Sequence, residues 1–228
     1  MKIKSICFSV LISAFAFAQE SAPMHIQNMS NDARSLLLKD GYKANLETEG
    51  NPYLGNDSFR EAKIGNNEKL TSVRYNASLD AFEFLQNGQM LLMGKEDWYS
   101  PIYFPDLKNT VILAEYTYKG KKIKGYLFEY INGQDVSAYR RISRKFKKGE
   151  YAASSFDKDM PNRFIEEPDV YYLRLADGKF VEFPKNKKKL IALFPDKGET
   201  INKNIKTNDF DFNTMKQIIM ILNKKSSE

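Results

Sequence analysis

Val111-Ile112-Leu113-Ala114-Glu115-Tyr116-Thr117-Tyr118, then Lys119-Gly120-Lys121, then residues 123–131 form the stretch that decides the fold class. The first eight residues are dense in β-branched and aromatic side chains, which pack well on a pleated surface. Lys119-Gly120-Lys121 reads as a turn, and 123–131 returns as the partner strand. Upstream, 73–75, 81–85 and 90–93 are short apolar or alternating runs, and downstream 170–175 and 180–183 flank the turn Ala176-Asp177-Gly178. Asn87-Gly88, Asn132-Gly133 and Asp177-Gly178 predict tight hairpins, because both central residues of a type I′ turn need positive φ. The glycines of these pairs are 45 residues apart both times. The segments between them do not match, and three units are too few to close most propellers, so common hairpin chemistry explains the spacing better than a repeat.

The C-terminal fifth changes period. Leu190, Ile191 and Phe194 share one side of a helix over 187–194, ended by Pro195. Ile201 and Ile205 stand one turn apart, and Met215, Ile218, Ile219 and Leu222 follow the i, i+3, i+4, i+7 template, with Asn213 as the cap. One-sided helices need a surface to cover. The expected fold is therefore α+β: an antiparallel β-sheet or open barrel over 59–184, followed by a C-terminal helical segment over 185–228 packed on the sheet, with 59–228 as one domain.

Ahead of this domain, Lys2 and Lys4 precede an apolar run over 6–17 that is too short to span a bilayer, and Ala16-Phe17-Ala18 is a small-x-small cleavage pattern. Residues 1–18 read as a signal peptide cleaved after Ala18, which predicts export to the periplasm or beyond. A polar leader over 19–58 follows. It holds a short helix over 32–39, capped by Ser30 or Asn31 and stopped by Asp40-Gly41, and a linker or surface loop over 44–58.

Composition narrows the chemistry. Cys7, the only cysteine, lies within the signal, so the mature chain offers no disulfide, thiol nucleophile or cysteine-ligated metal. About 210 remaining residues, with 42% hydrophobic residues over the whole chain, suffice for a core without cross-links. No later apolar run approaches the ~20 residues of a membrane span. Removing Lys2 and Lys4 from the 35 basic side chains leaves 33 against 29 acidic ones. That mixed balance is unlike a nucleic-acid binder's. His25, the single histidine, sits in the leader without partners, which argues against triads and histidine-built zinc sites. No G-x-S-x-G, phosphate-binding loop or dinucleotide fingerprint is present, and the reading assigns no cofactor and no metal.

Carboxylates remain as catalytic candidates. Glu83 and Glu129 each follow a phenylalanine in similar strand segments, and two carboxylates facing one cleft suffice for glycoside hydrolysis. The simpler expectation is that both point to solvent from alternating strands. Asp157, Asp159, Glu166, Glu167 and Asp169 lack the spacing of a calcium-binding loop and read as a solvated acidic segment. The densest charge run is 140–148, with Arg140, Arg141, Arg144, Lys145, Lys147 and Lys148. As one strand it would carry Arg141, Lys145 and Lys147 on one face. That surface would suit an acidic glycan, lipopolysaccharide or an envelope protein, or it would guard a sheet edge against aggregation. Lys185 and Lys187 to Lys189 form a second basic cluster. Trp98-Tyr99 with Pro101, Tyr103, Phe104 and Pro105 reads as an irregular aromatic segment packed on the core, with glycan stacking as the other use.

Taken together, the signal, Val73-Arg74-Tyr75-Asn76, Tyr126-Leu127-Phe128-Glu129 and the tail Lys187-Lys188-Lys189-Leu190 through Phe194-Pro195-Asp196-Lys197, with Ile201, Ile205 and Asn208, resemble a family of uncharacterised secreted proteins of Bacteroidetes-type bacteria. The likeness covers residues 50–222. It implies an exported Gram-negative protein and carries no activity with it. The functional expectation is an exported, non-catalytic binding or protein-interaction module of the cell envelope. The alternatives are a carboxylate-dependent glycan hydrolase and a carrier of a small apolar ligand.

Overall fold

The computed structural model describes residues 26–28, 47–151, 158–208 and 210–224. The signal, most of the leader and the expected helix over 32–39 lie outside the described residues. In chain order the elements are β1 (Ile26–Asn28), β2 (Thr48–Glu49), β3 (Arg60–Ile64), β4 (Leu70–Asn76), β5 (Ala81–Gln86), β6 (Gln89–Met93), β7 (Ile102–Phe104), β8 (Asn109–Tyr118), β9 (Lys121–Ile131), β10 (Ser137–Arg141), β11 (Arg144–Lys147), β12 (Asn162–Glu166), β13 (Val170–Arg174), β14 (Phe180–Glu182), α1 (Lys187–Leu193), α2 (Gly198–Asn204) and α3 (Phe212–Asn223). Short 3₁₀ turns at Asp97–Tyr99 and Pro195–Lys197 complete the set.

Among the described residues, eleven strands form one antiparallel sheet in the order β1-β6-β5-β4-β3-β7-β8-β9-β10-β13-β14. The sheet does not close into a barrel, because β1 and β14 each have a single neighbour. A small sheet, β11-β12-β2, stands beside it, and its short β12–β2 pairing is parallel. The β8–β9 hairpin is the longest and runs through the middle of the large sheet. Four consecutive residues of β9, Gly125 to Phe128, are buried, so both its faces are covered. On one face Val111, Tyr126 and Phe128 join Val73, Tyr75, Phe82, Phe84 and Phe104 in a core that β3 to β9 curl around. Edge-to-face contacts close this roll: Phe82 to Tyr126 at 4.9 Å and Tyr75 to Phe128 at 4.9 Å. Each such pair contributes roughly 0.5–1.5 kcal/mol beyond its burial.

On the other face Ile112, Tyr116 and Leu127 meet Tyr139, Tyr172 and Phe180, and β14 curls back toward β8. The helices cover a third cluster, in which Leu190, Ile201, Ile218, Ile219 and Leu222 pack on Ala138, Leu173 and Phe183. A bulge in the β9–β10 pairing falls opposite Ala138 and Tyr139. It lets the consecutive residues Tyr130 and Ile131 both serve this cluster, and Tyr130 meets Tyr171 at 4.8 Å.

Turn chemistry follows the sequence in full at one of its three expected sites and at a second only in the glycine, since Asp177 does not have positive φ. Asn87 and Gly88 both have positive φ, and so does Gly178. Asn132-Gly133 does not form such a turn. Neither residue has positive φ, and the 132–136 connection is instead tied to the end of α3. Asn223 accepts from the Asp135 and Val136 amides at 2.6 and 3.0 Å and donates to the Val136 carbonyl at 2.8 Å. The cap of α3 is Asp211, not Asn213; its carboxylate accepts from the Thr214 amide. Residues 51–58 are not a free linker. Leu54 donates to the Tyr75 carbonyl and Ala77 to the Pro52 carbonyl, which pins the segment to β4.

The β4–β5 turn closes over β9 through Asp80. Its carboxylate accepts from the Tyr75 hydroxyl at 2.7 Å, the Tyr126 amide at 3.2 Å and Lys95 at 2.6 Å. It sits directly over Gly125, where a Cβ would fall 2.5 Å from Asp80 Oδ2 and 2.7 Å from the Tyr116 hydroxyl. Gly125→Ala is expected to cost about 1–3 kcal/mol, the usual range for overpacking. Chemical denaturation checks this: the midpoint should fall at unchanged slope.

Candidate functional site

Cross-strand registers fix which polar side chains reach the inner wall of the roll. Arg60 pairs with Val73, Asn109 with Phe104, and Arg140 with Phe128, so all three stand at strand ends on the face that otherwise carries the apolar core. There the wall opens into a cavity of about 390 Å³, lined by Leu54, Gly55 and Ser58 from the pinned segment and by Val73, Tyr75, Phe104, Leu107 and Phe128. Arg60, Arg74, Asn109 and Arg140 complete the lining. The floor is apolar and the rim is cationic, and none of the lining residues is a carboxylate.

Each arginine has an acidic partner set back from the cavity. Arg60 meets Asp106 at 2.7 Å and Arg140 meets Asp169 at 3.2 Å. Arg74 is bonded through all three of its nitrogens. It lies 3.8 Å over the Tyr53 ring and 4.7 Å over that of Phe59, and it donates to Glu83 at 2.7 Å, the Asp57 carbonyl at 3.0 Å and the Tyr53 hydroxyl at 2.6 Å. Arg140 is different: its Nε is buried without a hydrogen-bond partner among the described residues. A buried donor left unmatched costs free energy until something accepts from it. Burial, with the Asp80 carboxylate beside it, pushes the Tyr75 hydroxyl well above its usual range, so Tyr75 supplies a neutral wall and not an acid or base.

A second cavity of about 390 Å³ lies on the other side of the Arg140–Asp169 pair, between β13, β14 and α3. Asp169, Glu182 and Lys185 share its lining with Tyr171, Phe183 and Phe210.

The two carboxylates singled out in the sequence do not come together. Glu83 does not point to solvent. It is 2% exposed, ion-paired to Arg74 and bonded to Asn76 at 2.8 Å, on the outer wall of the roll. Glu129 is half-buried and pairs across the strands with Tyr139, on the sheet face opposite to Phe128. Because Phe82 and Phe128 point inward toward each other's cluster, Glu83 and Glu129 point outward from separate parts of the wall.

The basic run over 140–148 is divided between two sheets. The chain leaves the large sheet at Ile142-Ser143, so Arg140 and Arg141 end β10 while Arg144, Lys145 and Lys147 belong to β11. β10 is not an edge, since β9 and β13 flank it. Arg140 faces the cavity, whereas Arg141 stacks on Tyr118 at 4.1 Å on the opposite face. Arg144 is ion-paired to Glu166 and donates to Asn51 at 2.6 and 2.8 Å. Lys145, Lys147 and Lys148 are exposed, the first two on β11, which is an edge of the small sheet. In the aromatic segment over 98–105, Tyr99 and Phe104 are buried and Trp98 is exposed.

Arg60, Asn109 and Leu107 were not singled out in the sequence, and Phe104 was read only within the aromatic segment over 98–105. The usable signal was a polar residue at a strand end in phase with the apolar positions, visible only once register is known. No protein-family model matches this chain, and no curated protein or solved structure matches it.

The two glutamates make opposite predictions. Glu83→Ala strands the Arg74 charge in the wall and is expected to cost about 3–5 kcal/mol, as when one partner of a buried pair is removed. Burial raises the Glu129 carboxyl above its ordinary range, so its ionisation opposes folding as pH rises through the folded value. That cost is absent below the unfolded value of about 4.3. Glu129→Gln should therefore raise the melting temperature at pH 7 and leave it unchanged at pH 3.

Proposed function

We propose that this chain is an exported, non-catalytic binding module of the Gram-negative cell envelope that takes a small ligand into the cavity at the mouth of its roll. The observation that carries the reading is the pairing of an apolar floor, Val73, Tyr75, Phe104 and Phe128, with polar side chains confined to the rim. Ligand pockets are mostly apolar concavities with a few placed polar groups, and this volume falls at the small end of their range of ~300–1,000 Å³. Export rests on the signal read in residues 1–18 and on the resemblance to secreted proteins of Bacteroidetes-type bacteria.

The carrier reading thus gains weight over the glycan hydrolase. Retaining and inverting hydrolysis both need two carboxylates across one cleft, about 5–10 Å apart. Glu83 is neutralised inside the wall and Glu129 faces elsewhere. A second, peripheral interaction with acidic glycan or lipopolysaccharide is supported by the exposed Lys145, Lys147 and Lys148. It is weakened by the division of the basic run between two sheets and by the ion pair of Arg144.

A neutral fluorescent probe tests the cavity. N-phenyl-1-naphthylamine should bind the full chain with enhanced emission. Ser58→Trp, which places a bulky side chain at an exposed rim position, should weaken binding at least tenfold without moving the melting temperature. Equal binding by both proteins would refute the site.

A further inference from the structure

We infer that the ligand of this cavity is a free amphiphile with one carboxylate on an apolar body, and that Arg140 is the residue that reads the carboxylate. The inference rests on the cavity reading above and adds the ligand's chemistry. Three observations meet at Arg140. Its side chain lines the cavity beside Phe128, its Nε is a buried donor without a partner, and its one ion pair, at 3.2 Å to Asp169, is the longest of the three made by the rim arginines.

Guanidinium binds carboxylate through two parallel N–H bonds. With Nη1 committed to Asp169, Nε and the remaining terminal nitrogen form the uncommitted side-on edge of the fork, and because Nε is enclosed in the folded chain a ligand engages this edge as the guanidinium turns toward the cavity. A carboxylate there satisfies the stranded Nε without breaking the internal pair. Arg60, at another strand end on the same wall, adds a second guanidinium, itself paired to Asp106. No lining side chain repels an anion, because Asp106, Glu83 and Asp169 all lie behind the arginines they neutralise. Below the rim, Val73, Phe104 and Phe128 offer apolar surface and no charge, so the rest of the ligand is apolar. One guanidinium with an uncommitted edge fits one carboxylate; Arg74, whose pair with Glu83 is buried, is bonded through all three of its nitrogens.

Asp169 also lines the second cavity, so the pair that positions Arg140 is shared between the two sides of the sheet wall. Removing the Asp169 charge, while keeping a carbonyl to accept from Nη1, leaves Arg140 in place with a stronger field toward the ligand.

Isothermal titration of the full chain with decanoate and with decanol, the neutral probe of the same length, tests this. Decanoate should bind at least tenfold more tightly than decanol. Arg140→Gln should remove that advantage while leaving decanol binding unchanged, and Asp169→Asn should tighten decanoate several-fold. The gain expected from Asp169→Asn cannot come from a loss of folding, which protects the test against a destabilised Arg140→Gln. Equal affinities for decanoate and decanol would overturn the carboxylate assignment and leave the cavity standing. Binding of neither would overturn both. Retained preference for decanoate in Arg140→Gln would overturn the role of Arg140. Binding only to phosphatidylglycerol vesicles, with none to decanoate, would overturn a free amphiphile in favour of a membrane lipid.

Discussion

A hairpin buried on both faces has no side on which to put polar residues, and in β8–β9 this constraint organises the molecule. Gly125 to Phe128 are buried in succession, so the sheet must supply apolar cover to each face in turn. It does so by curling one way through β3 to β7 and the other way through β10, β13 and β14. One residue in the hairpin has no side chain because no room exists for one: Asp80 and the Tyr116 hydroxyl occupy the space over Gly125. The Asp80 carboxylate bonds to β4 through Tyr75 and to β9 through the Tyr126 amide, joining the ends of the first curl. The charge is tolerated because three donors meet it.

The cavity is a by-product of this geometry. A curled sheet that stops short of closure leaves its inner wall open at one end, and strands of unequal length place their terminal residues there. Arg60 and Asn109 are such residues, and Arg140 is the last but one of β10. Their phase is that of the core, and their position at the strand ends keeps them near water. The same side chains in mid-strand would be buried charges without relief. The bulge opposite Ala138 and Tyr139 separates this rim from the helical layer, since Tyr130 and Ile131 turn to the helices while Phe128 and Arg140 stay with the cavity.

Much of this was legible in the residues. Alternation located β4, β5, β6, β8, β9, β13 and β14, and the 3.6-residue period located the three helices. β3, β7 and β12 were missed because Arg60–Ile64, Ile102–Phe104 and Asn162–Glu166 are short or charge-rich, and each has a partner distant in sequence: β3 and β7 pair with each other and β12 pairs with β2. Local propensity has no access to such partners. Asn132-Gly133 misled because Asn223, more than eighty residues away, holds the Asp135 and Val136 amides of the same connection. Glu83 was read as exposed from strict alternation, and the pattern failed because residues 51–59 cover that wall. The site itself was out of reach: its members come from six strands and two loops, and adjacency among them follows from curl and register.

The tie between Asn223 and the β9–β10 connection also sets an order of events in the life of the chain. Ala138, Leu173 and Phe183 lie in or directly after strands made well before α3, yet their cover includes Ile218, Ile219 and Leu222, near the described C-terminal end. As the polypeptide is synthesised, the sheet is complete in sequence while one of its faces is still bare. A bare apolar face on a nascent sheet is prone to meet another of its kind. The final helix therefore acts as the step that ends the vulnerable interval. A chain interrupted after β14 would carry all the strands of the fold and still present its stickiest surface to its surroundings.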